Sequence, residues 1–302
     1  MRTKKLNNIG VEILDIDITQ LTDTDYKQIK EILGEELVVL IKHQEYKNPY
    51  YYALLVSKLG RIGNMTTATW KYKNRDVTNP IPNTDLRDIQ PEQWQGPLEE
   101  FPVQRVTGKK KDNSAQHTGI FGSGTLTWHS NMNSPYNAAG VALQGISDVL
   151  ETSTSFLDTT KVYEDMTEEF KQRCHGIIGD FKYTPEIWAE GLPEDQHRAM
   201  IEGHLKIFKK LEYQMPLLNK NISGTKTGLF FHFNNSCSFK SDPALLNDLK
   251  ELCIQDKYIY QHWWEPGDII LMDQKLTLHK RDQDDPEILA KRVLHRYTFM
   301  FK

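Results

Sequence analysis

Cysteine is scarce in this chain. Cys174, Cys237 and Cys253 are an odd number with no C-x-x-C spacing, which excludes a disulfide framework and a thiolate zinc site. Free buried thiols remain, a state compatible with redox-active iron in a reducing compartment. A dominant charge is also lacking. With 37 Lys and Arg against 41 Asp and Glu, the net charge is −4, too acidic for an unassisted nucleic-acid binder. The short run Lys109-Lys110-Lys111, set among Gly108, Asp112, Asn113 and Ser114, reads as a solvated loop. No stretch approaches the roughly 18 apolar residues of a membrane span, and Met1 to Asn8 holds no apolar h-region. The expectation is a soluble, cytoplasmic protein with neither a membrane nor a nucleic-acid partner.

What is present is enough apolar residue, 38% of 302 with 26% charged, to bury a full core. We expect one domain over 1–302, with a polar, Asn-, Pro- and Trp-rich insertion at about 61–102. Val11 to Leu14 alternates as a strand, and Asp23 opens a helix carrying Tyr26, Ile29, Ile32 and Leu33 that Gly34 should end. Leu37 to Ile41 has the continuous apolar character of a strand buried on both faces. A second helix opens at Asn48-Pro49 and stops at Gly60. Strands are expected at Val103–Val106, Thr125–His129, Ala139–Leu143, Thr152–Phe156, Thr227–Phe233, Tyr258–Trp264, Ile269–Met272 and Val293–Phe299. Helical signals lie after Thr167, from Asp195 to Leu211 and after Asp242-Pro243. This order favours a β-rich α+β fold, a β-sandwich or jelly roll decorated by helices, over a βαβ fold.

The chemistry concentrates in Trp128-His129-Ser130-Asn131, in His279 150 positions after His129, and in Arg292 a further 13 along. On a strand, residues i and i+2 point the same way, so His129 and Asn131 can address one point while Ser130 faces away. His279 completes the set if the sheet rolls. A 2-His-1-carboxylate metal site has Asp or Glu at the middle position. Asn131 instead supplies an uncharged amide, a weaker ligand that leaves the site one unit more positive. The bland alternative is that, among ten histidines, these are ordinary core residues. Arg292 and Arg296 share a strand face by period two and suit a carboxylate ligand; the alternative is a pair of surface strand residues.

Four ordered segments resemble the taurine dioxygenase-like (TauD/TfdA) family of iron(II)- and 2-oxoglutarate-dependent oxygenases. Ile9 to Ile13, with Leu37 to Leu40 and Leu59 to Gly63, is similar to the family's N-terminal segment. Trp128-His129-Ser130-Asn131 is similar to its W-H-x-D motif, and Trp264 to Asp273 with Thr277-Leu278-His279 to its distal-histidine segment. Arg292 to Arg296 is similar to its C-terminal arginine motif. The resemblance implies a double-stranded β-helix of the clavaminate synthase-like kind. It implies that His129 and His279, with Asn131 in the acidic ligand's place, bind Fe(II), and that Thr154 and Arg292 hold the C5 carboxylate of the co-substrate 2-oxoglutarate. Arg296 would face the prime substrate. The segments Gly63–Trp70 and Phe231–Asn235, through Asn64 and Asn235, would line its pocket.

The implied activity is a dioxygenase that uses O₂ and 2-oxoglutarate, releases succinate and CO₂, and hydroxylates a small polar or anionic substrate. Asn131 also favours a second reading, a non-catalytic or weakly catalytic homologue that keeps the pocket as a small-molecule-binding module. Whether the chain works alone or as a homo-oligomer is left open by the sequence.

Overall fold

The computed structural model describes residues 1–62, 70–72, 75–77, 91–93, 97–101, 103–110, 118–119, 121–122, 125–131, 139–182, 194, 198, 202, 212–234 and 236–301. A ten-stranded sheet forms the larger layer. Its order is Thr3–Lys5, Val11–Ile13, Val38–Ile41, Ile269–Asp273, Gly140–Ser147, Val293–Phe301, Gln104–Val106, Trp70–Tyr72 and Arg75–Val77, with Gly60–Ile62 also pairing onto Val293–Phe301. A three-stranded sheet places Ser153–Asp158 between Ile259–Trp263 and Thr277–Arg281.

Strand alternation explains the apolar runs. Val38, Leu40, Val141, Leu143, Ile270, Met272 and Leu294 point into a core shared with Phe156, Trp264 and Tyr260, so the two sheets face each other. The intervening Val39, Ile41, Ala142, Ile269, Leu271, Tyr297 and Phe299 point the other way, under the helices that carry Tyr26, Ile29, Leu33, Tyr52, Leu55 and Val56. A central strand buried on both faces has no polar position left. Behind the small sheet, Leu157 and Leu278 join a third cluster with Phe230, Phe231 and the helix Leu245–Cys253.

Several local expectations are corrected. The first helix, Asp23–Glu36, is capped by Thr22 rather than Asp23, in a box where Thr22 Oγ1 accepts from Asp25 N and the Asp25 carboxylate accepts from Thr22 N. Gly34 does not end that helix. It is a buried helical position whose carbonyl accepts from Asn221 Nδ2, and the chain turns instead at Leu37, with φ 66°. The second helix, Pro49–Leu59, does stop at Gly60 as expected, and Gly60 is extended where a side chain would collide with the Met300 carbonyl, a Cβ lying 2.1 Å from its oxygen. Thr125–His129 is not a strand: only His129 pairs, as an isolated bridge with His279. Thr227–Leu229 is a strand, but the chain leaves the ladder at Phe230. The helix expected over Asp195–Leu211 and most of the 61–102 insertion lie largely outside the described residues.

Among the described residues, no helix is long and apolar enough to cross a membrane. All three cysteines are free and buried.

Candidate active site

The small sheet supplies one wall of the site. Phe156 faces the sandwich interior, so Thr154, two residues earlier, faces it too. The antiparallel register sets His279 opposite Phe156 and Arg281 opposite Thr154, bringing both onto the same face. The facing wall comes from Val293–Phe301, where Leu294 points inward and Arg296 follows two residues on. Sequence-remote strands thus deliver His279, Thr154 and Arg296 to one interior space.

His129 is tied to His279 by two backbone hydrogen bonds, His129 N to His279 O at 3.0 Å and His279 N to His129 O at 2.9 Å. The two rings lie 4.3 Å apart between centroids. His129 Nδ1 sits 2.7 Å from the Thr127 carbonyl. A carbonyl only accepts, so Nδ1 carries the proton and Nε2 keeps a bare lone pair, the state a metal ligand requires. Desolvation lowers the His129 pKa to about 4, with Arg296 and Arg281 adding to the effect against the Thr127 hydrogen bond. His279 is held well below its ordinary value, first by burial and then by the charges of its neighbours. Both imidazoles are therefore neutral at physiological pH.

Asn131 Nδ2 stands 3.0 Å from His279 Nε2, so amide and ring address a single point. Turning the amide over presents Oδ1 to His279 Nε2 instead, and the His129 ring lies beside that of His279. Such a donor set fits Fe(II), with imidazole as its characteristic nitrogen ligand. Gln274 fixes this loop. Its Oε1 accepts from Asn131 N at 2.7 Å, and its carbonyl accepts from Ser130 Oγ at 2.8 Å.

Thr154 Oγ1 accepts from buried Trp264 Nε1 at 2.9 Å, which leaves its own O–H to donate. Arg292 and Arg296 are not surface residues; they are 2% and 7% exposed. Nor do they follow simple alternation. Arg292 ends the short helix Pro286–Lys291, and a β-bulge lies between Val293 and Leu294. Burial pushes Arg292 down to about 9, with Arg281 contributing, and its Nε has no hydrogen-bond partner. A guanidinium keeps its proton in proteins, so the shift expresses a buried cation with no counter-ion among the described residues. Arg296 donates to Gln104 Oε1 and lies 5.6 Å over the Phe121 ring. Its partner is neutral.

Three contributors were not singled out from the sequence: Gln274, Arg281 and His232. Arg281 was hidden in the polar return after His279, although period two from that histidine aims it inward. His232 is buried beside His129, with its Nδ1 3.1 Å from Ser236 Oγ and its pKa lowered to about 3 by burial and then by His129. Asn64 and Asn235 lie outside the described residues. Elsewhere, His43, Glu265 and Asp268 bring ligand atoms within 4.8 Å of one another. There Lys42 Nζ neutralises Glu265 at 2.6 Å, and Asp268 accepts from the backbone of His43 and Glu265, each at 3.2 Å. That cluster shapes a turn.

The family model described as taurine catabolism dioxygenase TauD, TfdA family matches residues 2–298. The chain belongs to that family. An alpha-ketoglutarate-dependent 2,4-dichlorophenoxyacetate dioxygenase of Burkholderia sp. (strain RASC) is 27% identical over 191 residues, 57% of each chain, so this relative is matched over little more than half its length. The alpha-ketoglutarate-dependent xanthine dioxygenase xanA of Emericella nidulans is 22% identical, covering 90% of this chain and 87% of its own. Among solved structures, AAD-2 in complex with Mn(II) and N-oxalylglycine superposes with a TM-score of 0.72 at 15% identity, over 100% of this chain and 98% of that one. A taurine dioxygenase from Burkholderia xenovorans gives 0.66 at 16% identity, over 100% and 89%. The TauD/TfdA chain thus has the jelly-roll fold of these neighbours, and it stands among oxidoreductases that use Fe(II) and 2-oxoglutarate. The binding-module alternative finds no support in these comparisons.

Proposed function

We propose that this TauD/TfdA protein binds Fe(II) through His129, His279 and the side chain of Asn131, holds 2-oxoglutarate through Thr154 and Arg292, and hydroxylates a small polar or anionic substrate using O₂. The observation that carries this reading is Arg292: a guanidinium 2% exposed, with an orphaned Nε, deep in a sandwich that also holds two neutral imidazoles. Such a cation requires an anion.

Bound iron supplies O₂ activation coupled to oxidative decarboxylation of the co-substrate. The protein's own groups do the rest. His129 and His279 are kept unprotonated by burial, so no proton competes for their lone pairs. Thr154 donates its hydroxyl hydrogen to a carboxylate while Trp264 holds its oxygen. Arg296, buried against neutral Gln104, supports an anionic group on the substrate. The sandwich core of Phe156, Leu143 and Leu294 excludes water from the reacting face. Free thiols and the absence of a membrane-crossing helix among the described residues agree with a single domain acting in the cytoplasm.

The test is anaerobic addition of Fe(II) and 2-oxoglutarate to metal-free protein. A metal-to-ligand charge-transfer band should form, and admitting air should then release succinate. No band, together with no 2-oxoglutarate-dependent succinate, would refute the assignment.

A further inference from the structure

His232 lies beside His129 and has no part in the reading above. After the strand Thr227–Leu229 the chain runs past Trp128, whose carbonyl accepts from Phe233 N at 3.0 Å, and this sets residue 232 next to His129. The ring is 5% exposed and is flanked edge-on by Phe181 and Phe230, at 5.3 and 5.6 Å between centroids. It is also near enough to His279 to disfavour a positive charge there.

The ring hydrogen can be placed. Asn234 Oδ1 accepts from the backbone N–H of Ser236 at 3.0 Å, so it is the oxygen of that amide, and it also accepts the Ser236 hydroxyl hydrogen. The Ser236 oxygen is left to accept, and the group 3.1 Å away is His232 Nδ1. Nδ1 therefore carries the hydrogen and Nε2 is a bare lone pair. Burial, and then the charge of His129, keep the ring neutral. Nε2 is shut off from solvent, and among the described residues no donor reaches it. A buried acceptor without a donor is costly, and the flanking phenylalanine rings carry neither N–H nor O–H. The donor that remains is one brought by a ligand.

We propose that His232 Nε2 accepts a hydrogen bond from the prime substrate, so that the substrate is a small acid bearing a neutral O–H or N–H donor in addition to the anionic group that Arg296 supports. This rests on the oxygenase assignment, in which the substrate lies beside His129 and His279.

The experiment is ligand-observed NMR titration of protein loaded with Zn(II) and N-oxalylglycine. Two pairs of acids exchange a hydroxyl for a methyl of similar size: 3-hydroxybutanoate with 3-methylbutanoate, and 4-hydroxyphenylacetate with 4-methylphenylacetate. In at least one pair the hydroxy acid should bind on the order of tenfold more tightly than its twin. His232→Phe keeps an aromatic ring and removes the lone pair, so it should abolish that preference and leave N-oxalylglycine affinity unchanged. Equal affinities within both pairs, no binding by either hydroxy acid, or a preference that survives in His232→Phe overturns the proposal. Circular dichroism checks folding. If the Phe variant does not fold, Ser236→Ala decides: without an acceptor for Nδ1–H the tautomer is no longer locked, and the preference should fall by roughly threefold or more. An unchanged preference in that variant refutes the role. N-oxalylglycine scores the parent reading separately. If Zn(II)-loaded wild-type protein does not bind it, the oxygenase assignment fails and this inference with it; if it binds while the twins are equal, only the role of His232 fails.

Discussion

Asn131→Asp tests the metal centre at its least usual position. The new carboxylate would stand where the amide does, 3.0 Å from His279 Nε2, with the backbone N–H of residue 131 still held by Gln274. In metal-free protein it draws a proton onto His279. A charge pair about 4 Å apart at an effective dielectric of about 20 gains about 4 kcal/mol, which opposes the burial and neighbouring charges that lower the pKa of this imidazole. With iron bound, the same carboxylate replaces a neutral oxygen donor by an anionic one. Discounting the Coulomb gain for desolvation of the new charge leaves a net tightening of about 1.4–2.8 kcal/mol, or tenfold to a hundredfold. Because iron must now displace the His279 proton, the gain should be full near about pH 8 and shrink as pH falls through the apparent pKa of the Asp–His pair. The assay is anaerobic Fe(II) titration of metal-free protein against a competing chromophoric chelator, at about pH 6 and about pH 8. Equal or weaker affinity at the higher pH would mean that residue 131 does not meet the metal.

Arg292→Ala should raise the 2-oxoglutarate requirement by about 1.5–3 kcal/mol, the range of a charge-assisted pair, without lowering the melting temperature, since it removes a buried cation with no counter-ion among the described residues; an unchanged co-substrate dependence would take Arg292 out of the site. His279→Ala should abolish iron binding in a protein that stays folded, and undiminished iron by metal analysis would break the pairing with His129. Asp273 is buried and its pKa is raised from 3.8 to about 6. A carboxyl raised on folding gives stability that is present below about pH 3.8 and lost as pH rises through about 6, so Asp273→Asn should gain up to about 3 kcal/mol relative to wild type at neutral pH and nothing near pH 4. Parallel urea-denaturation stabilities at the two pH values would refute the argument.

The sequence was most legible where a physical requirement leaves little choice. Val38 to Ile41 had to be buried on both faces, and it lies between the helices and the facing sheet. The i, i+2 reading of His129 and Asn131 supposed a strand, whereas their segment forms only a single bridge, and each of the two meets His279 instead. Arg281 and Gln274 escaped because their importance depends on register between distant segments: Arg281 looks like part of a polar loop until Thr154 is set opposite it. Gly34 misled because a stop signal and a packed helical glycine share one letter. The bulge after Val293 altered how Arg292 arrives, and nothing in Arg292 to Arg296 marks an extra residue.

The Gln274 clasp has a consequence for how this centre can vary. Gln274 grips residue 131 through the backbone N–H, a group that every amino acid except proline provides, and it grips residue 130 through a serine hydroxyl. Position is thereby fixed by one set of atoms and chemical identity by another. The scaffold works as a socket into which carboxylate, amide or a smaller side chain can be fitted, so a change at residue 131 exchanges the group beside His279 while the backbone around it keeps its hydrogen bonds.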